Sequence, residues 1–205
     1  MCQAVPVAGE EGDRVRPAPG KQAAIHAAAV EQFSQRGFAG TSMANIADAA
    51  SMSRPALYQY FKNKSDIFSS AFVALTREHA ERALDALLSP GSVAEQLDGF
   101  LQRFEGDLWE RLAASPHADE IVSAKDDDLS AAITAVMDDM WRGLVLYLQS
   151  VYPGQGAAAE TRRTDWFDVL RLSPKGFKSD APAMDVYRRR LTVLARSVAA
   201  QIVDP

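Results

Sequence analysis

Gly37 to Lys64 reads GFAGTSMANIADAASMSRPALYQYFKNK, and its turn chemistry leaves few folds open. Two short helix patterns, about Met43 to Ala50 and about Arg54 to Tyr60, flank the turn Ser51-Met52-Ser53. Thr41 and Ser42 can cap the first by accepting bonds from its free N–H groups, and Ser53 can cap the second. Pro55 falls in the first turn of the second pattern, where its missing N–H costs nothing. Two helices of one to two turns crossing over a tight turn form a helix-turn-helix, whose second helix is shaped for a DNA major groove.

Charge is distributed to match. From Arg14 to Lys64 there are seven basic residues against two acidic, whereas residues 65–205 carry fifteen basic and twenty-two acidic. The net charge of −5 therefore conceals a basic head on an acidic body, a distribution that orients a molecule on phosphate. A chain of 205 residues with 47% apolar content can bury an adequate core in one or two domains. No apolar run approaches the roughly 20 residues that span a bilayer. With no apolar leader segment, a cytoplasmic location is expected. The single cysteine, Cys2, excludes an internal disulfide.

Residues 1–18, rich in Pro and Gly, are expected to be a flexible arm, with Arg14 and Arg16 available to DNA. Residues 19–66 are expected to form the head and 67–205 the body. Ile25, Ala28, Ala29 and Phe33 recur at helical spacing from Lys21 to Arg36, and Gly37 supplies a stop. Phe33, Phe38, Ile46, Leu57 and Phe61 form the candidate head core. Asn63-Lys64-Ser65-Asp66 resembles a capping box and opens a long helix to about Leu88; Ser92 to Glu95 is another, opening a helix to about Ala114. A short piece follows at 117–123. Further helices are predicted over about Asp127 to Val151, Ala158 to Leu172 and Ala181 to Val203, with a loop from Ser173 to Lys178. Val, Ile and Thr show no alternation and no hairpin signal occurs, so the chain is expected to be all-α.

The run Met52 to Lys64, with its LYQYFKNK, resembles the recognition-helix signature of the tetracycline-repressor (TetR) family. So does the lead-in AIHAAAVEQFSQRGFAGTSMANIADAA, and the match is continuous from about Lys21 to Phe72. The resemblance implies a three-helix DNA-binding head joined by a long helix to a body that binds a small effector and dimerises. It implies a double-stranded, pseudo-palindromic DNA operator, a homodimer, an apolar or amphipathic small molecule as effector, and a repressor. An activator of the same fold, or a small-molecule-binding module that no longer reads DNA, are the alternatives.

Candidate DNA contacts are Thr41, Ser42, Ser53, Arg54, Ala56, Tyr58, Gln59, Tyr60 and Lys64. Leu57 and Phe61, at i and i+4, take the core side of the second helix and leave Arg54, Tyr58 and Gln59 outward. Arg54 can pair with guanine O6 and N7, Gln59 with adenine, and Ala56 can touch a thymine methyl. The resemblance gives Tyr58, Tyr60 and Lys64 phosphate or base contacts, while Thr41 and Ser42 are placed to hold phosphate. The bland reading is that these hydroxyls only cap and the tyrosines only pack.

Phe100, Phe104, Trp109, Met137, Trp141 and Trp166 are candidate effector contacts, because the resemblance implies a pocket in the body and pockets are lined this way. Such stripes otherwise form core. The last helix carries Tyr187, Leu191, Leu194 and Val198 in one apolar seam. By resemblance this is the dimer interface; the alternative is that it closes the monomer's own core. His117 to Glu120 and Asp126 to Asp128 fit no metal-ligand spacing and read as capping and a solvated acidic turn. No cofactor, nucleophile-base motif, P-loop or dinucleotide fingerprint is present, so an enzyme is not expected.

Overall fold

The helix that follows the helix-turn-helix, α4 (Lys64–Leu87), runs through both halves of the molecule. Asn63 Oδ1 starts it by accepting from the Asp66 N–H at 2.8 Å. Its first half buries Ile67, Phe68, Ala71, Phe72 and Leu75 among Ile25, Phe33, Ile46, Leu57 and Phe61. Its second half buries Ala80, Ala83 and Leu87 among Leu97, Phe100, Leu144, Tyr187 and Leu191. One continuous helix therefore serves two hydrophobic cores.

The computed structural model describes residues 19–123 and 127–203, and these are helical with no strand. The arm with Cys2, Arg14 and Arg16 lies outside the described residues, as does Asp126. The elements are α1 (Pro19–Gly40), α2 (Met43–Ala49), α3 (Arg54–Tyr60), α4, α5 (Val93–Leu101), a π-turn (Gln102–Gly106), α6 (Asp107–Ala113), α7 (Ala118–Ser123), α8 (Asp127–Val151), α9 (Ala157–Gly176) and α10 (Met184–Val203). Helices α1 to α3 and the start of α4 form the head. Helices α5, α6 and α8 and the π-turn pack on the rest of α4, α10 lies on α5, α9 on α8 and α10, and α7 on α1. Leu129 of α8 reaches into the head core.

Three boundaries depart from the sequence reading. The stretch Val93 to Ala114 is not one α-helix: at the π-turn the Asp107 N–H bonds Gln102 O rather than Arg103 O. His79 of α4 closes on the Arg103 carbonyl instead, with Nδ1 at 3.0 Å. The extra residue in that turn cannot be read from apolar spacing, which tolerates it. The expected loop Ser173 to Lys178 is helical as far as Gly176, with Pro174 buried in the last turns of α9. The last helix starts at Met184, after a turn through Ala181, whose φ is 46°.

The apolar seam of α10 also faces the other way from the expected dimer interface. Tyr187 and Leu191 are 0% exposed, and Leu194 and Val198 are buried with them. They close the monomer's core against α5. Polar bonds fix that orientation: Gln102 Nε2 donates to Arg188 O and Thr192 Oγ1, and Thr192 Oγ1 donates to Asp98 Oδ1 at 2.9 Å. Arg188 also pairs with Asp107 and Glu110. A 20-residue helix has two faces, and the seam is the inner one.

The end of α1 is a joint between head and body. Gly37 breaks the helix at φ 72°, a conformation that side chains rarely adopt. Thr41 Oγ1 donates to Gly37 O at 2.7 Å and to Gln32 O at 3.1 Å, which holds the break closed. From the body, Glu120 Oε1 of α7 accepts the Ala39 N–H at 2.6 Å, and Ser115 Oγ donates to Ser34 O at 2.8 Å. His117 stands 3.5 Å from Glu120. A Cβ on Gly37 would meet Glu120 Cδ at 2.9 Å, so besides straining the backbone a larger residue would push the Glu120 carboxylate from its place.

Two outcomes follow from this packing. Thr41→Val keeps the shape but leaves a buried carbonyl without its donor, so it should destabilise the protein by about 1–3 kcal/mol. Thr41→Ser should recover most of that in urea unfolding, and equal midpoints for all three proteins would refute the role. His26, half-buried with Nε2 2.9 Å from Ser70 Oγ, has its pKa lowered by burial below the ordinary 6.5. The unfolded chain then binds this proton at higher pH than the folded one, so stability is undiminished above about pH 6.5 and falls as the pH drops towards the lower folded value. The wild-type minus His26→Gln difference in urea midpoint, measured between about pH 7.5 and pH 5, should show that fall.

Candidate nucleic-acid interface

Helix α3 is held by its own first turn and by two core side chains. Ser53 Oγ accepts the Ala56 N–H at 3.3 Å, and Pro55 occupies the start. Leu57 is fully buried and Phe61 nearly so, as the i, i+4 spacing requires. Arg54 and Gln59 are exposed and Tyr58 is 49% exposed, all on the opposite side. No hydrogen bond or ion pair engages these three side chains among the described residues. Ala56 and Tyr60 lie between the two faces, with Tyr60 packed against the head core. The turn before α3 places Ser51 at φ 54°, which is uncommon for a residue other than glycine.

Ser42 is the cap of α2, with Oγ accepting the Asn45 N–H at 3.2 Å while Asn45 Oδ1 takes the Ser42 N–H at 3.0 Å. Ser42 stays exposed. Thr41 does not share its position. It is 3% exposed and its hydroxyl is turned into the Gly37 break, which corrects the expectation that this hydroxyl meets phosphate. Lys64 also has a structural task. Its Nζ donates to Phe38 O at 2.6 Å and lies 4.4 Å from the Phe38 ring, so the ammonium clasps the same joint. Lys62, which lies within LYQYFKNK but was not among the candidate contacts, is exposed one residue past Phe61 and forms no ion pair among the described residues.

The six candidate effector residues divide. Phe104 and Met137 line a cavity of about 220 Å³ between α4, the π-turn, α6, α8 and the end of α9. Phe100, Trp141 and Trp166 do not; they are core, with Trp141 edge-on to Phe100 at 5.9 Å and Trp166 edge-on to Tyr152 at 5.0 Å. Trp109 is half-buried beneath Lys178, whose Nζ is 4.9 Å from its ring. The cavity wall also takes in Phe72, Leu75 and Thr76 of α4 together with Glu105, Lys175 and Lys178. The basic character of the Ser173 to Lys178 segment was visible in the sequence, but nothing there joined it to α4. Burial, then the charge of Glu105 and its hydrogen bond, raise the Tyr187 phenol far above its ordinary pKa, so it remains a donor to Glu105.

Residues 25–71 match the sequence profile of the bacterial regulatory proteins of the tetR family. Over 63 residues the chain is 35% identical to a probable acrEF/envCD operon repressor of Escherichia coli (strain K12). That match covers 28% of this chain and 29% of the relative, so it spans less than a third of the relative's length. The fold resemblance extends further. A TetR-family regulator from Mesorhizobium loti superposes with a TM-score of 0.63 at 19% identity, covering 88% of this chain and 96% of the other. The Bacillus subtilis regulator FadR, solved with stearoyl-CoA, superposes with a TM-score of 0.56 at 21% identity, again over 88% and 96%. The head that carries α2, α3 and their joint to α4 thus has the sequence profile of the bacterial regulatory proteins of the tetR family.

Proposed function

We propose that this chain is a ligand-responsive transcriptional repressor that binds a pseudo-palindromic DNA operator as a homodimer. The observation that carries the reading is α3 itself. Its outward side chains Arg54, Tyr58 and Gln59 have no partner within the described residues and sit on the basic end of an acidic molecule. Arg54 is assigned to guanine, Gln59 to adenine, and Ala56 to a thymine methyl at the edge of the helix. Tyr58, Tyr60, Ser42, Ser53 and Lys62 are assigned to the backbone, where contacts set register rather than sequence. Lys64 joins them through the donors that Phe38 leaves free. The repressor sense is supported by the name of the E. coli relative, which resembles this head.

A dimer face is proposed on the outer surfaces of α9 and α10 in place of the buried seam. Val169 and Leu172 are exposed on α9, one turn apart, and Val193 (58%) and Val203 (67%) are exposed on α10. Arg189, Arg196 and Ala200 share the α10 face with them. Isologous pairing of these two helices would cover the exposed valines with their own copies.

For regulation, a ligand in the α4–α6–α8 cavity would touch Phe72 and Leu75, which also belong to the head core. It would touch Leu108 and Leu112 of α6, which leads through Ser115 to the α7 contact at Ala39. A ligand that prefers a spacing of the two heads that does not fit the operator weakens operator binding by that differential affinity.

Two measurements test this. In fluorescence anisotropy on an operator recovered from genomic fragments, Arg54→Ala should cost about 1–3 kcal/mol and relax preference at one base pair. Lys62→Gln should instead weaken all sequences and lower the salt slope by about 1. Equal, weak binding of every fragment by the ligand-free wild type would sink the DNA reading. Separately, Leu172→Asp combined with Val193→Asp should convert a dimer to a folded monomer in sedimentation. A dimer that survives both charges would place the interface elsewhere.

A further inference from the structure

We propose that the body cavity takes a small amphipathic anion, an apolar tail ending in a carboxylate, whose charged end is held by Lys175 and Lys178. The inference rests on the reading of the body as effector-binding and adds the chemical class of the effector.

The cavity is apolar on three sides and charged on the fourth. Phe72 and Leu75 come from α4, Leu108 and Leu112 from α6, Ile133 and Met137 from α8. Thr76, the polar residue among them, has its hydroxyl donated to Phe72 O at 2.9 Å and offers little to a ligand. All ionisable lining comes from the π-turn and the end of α9: Glu105, Lys175 and Lys178.

Their pairing fixes the sign. Glu105 is buried, and its Oε2 accepts from Lys178 Nζ at 2.8 Å and from Tyr187 OH at 3.2 Å. The Lys178 ammonium is further confined between the Trp109 and Tyr187 rings, at 4.9 and 5.3 Å. Lys175 has no hydrogen bond or ion pair among the described residues. The charged wall thus holds two ammonium groups against one carboxylate, and Lys178 already pairs with that carboxylate through Oε2. A cationic ligand would meet two like charges against a single carboxylate that is already ion-paired. A carboxylate would pair with Lys175 and take a second bond from Lys178, whose three donors are not exhausted by Glu105.

The π-turn is the local device behind this wall. Glu105 lies within this wider turn and stands beside Lys178 and Tyr187. Such single-turn insertions recur at functional sites. At about 220 Å³ the cavity is smaller than the roughly 300–1,000 Å³ of sites for drug-sized molecules, so the tail is short.

The test is isothermal titration calorimetry of the full chain, without DNA, against octanoate, octan-1-ol and octylammonium, with hexanoate and dodecanoate to bracket length. Octanoate should bind at least about tenfold more tightly than octanol, and octylammonium should bind weakest. Lys175→Gln and Lys178→Gln should each lower the octanoate affinity while leaving octanol unchanged. Lys175→Gln, which breaks no internal bond, keeps the test valid if Lys178→Gln fails to fold. Octanol binding as tightly as octanoate, octylammonium binding best, unaltered octanoate binding in Lys175→Gln, or no heat with any chain length would each overturn the proposal. DNA binding is absent from this measurement, so its failure leaves the operator reading standing, and failure of operator binding leaves this result intact.

Discussion

The continuity of α4 across two hydrophobic cores is the constraint on which the rest of the structure depends. Phe68 and Phe72 lie among the head's aromatics, with Phe68 edge-on to Phe33 at 5.1 Å, while Ala83 and Leu87 lie under Phe100 and Leu144. A helix closely packed at both ends transmits displacement because interiors are dense and respond as discrete arrangements rather than by smooth deformation. The small residues on and against α4 tighten this. A Cβ at Gly99 of α5 would stand 3.0 Å from Ala86, so α5 approaches α4 as closely as glycine allows. The start of α4 in the head, with the Asn63 cap just past α3, and its end in the body thus belong to one continuous helix.

A second connection runs in parallel, and it is polar. Glu120 and Ser115 bind backbone groups of Ala39 and Ser34, so they act on the head through its main chain rather than its side-chain packing. Lys64 of α4 binds Phe38 O, two peptide units from the break at Gly37. The α1–α2 joint is thereby gripped from α4 and from α7 at once. Charge-assisted bonds to backbone are stronger than neutral ones, and each has a defined geometry. These three bonds, together with the packing of α4, hold the α1–α2 joint against the body, with the Gly37 break at its centre.

How far this was legible in the sequence depends on whether the signal is local. Ser42, Ser53, Asn63 and Ser92 were readable as caps because a cap and its target lie three residues apart. Leu57 and Phe61 were readable as core, since a seven-residue helix presents a single inner face. Thr41 was not readable: its hydroxyl answers a carbonyl freed by the Gly37 break, and two adjacent hydroxyls before α2 look alike. The α10 seam failed for a different reason. Periodicity identifies an apolar face without naming what covers it, and α5 with Gln102 covers this one. Phe100, Trp141 and Trp166 show the same limit, because packed aromatics and pocket aromatics have the same spacing. The cavity was out of reach, since its wall joins residue 72 to residue 178 across five elements.

The position of Glu105 links that cavity to stability as well as to ligand. A buried carboxylate is costly unless a cation and hydrogen bonds compensate it, and replacing such a pair with apolar residues of the same volume is often neutral or stabilising. Lys178, Tyr187 and the two rings around the ammonium supply that compensation here, at the expense of leaving a charged wall beside an apolar space. The wall and the space make physical sense together when a molecule with its own charge completes them. Differential binding worth about 1–3 kcal/mol between two spacings of the heads is within the ordinary range of coupling between sites. The residues that would feel it, Phe72 and Leu75, already face the cavity on one side and the head core on the other.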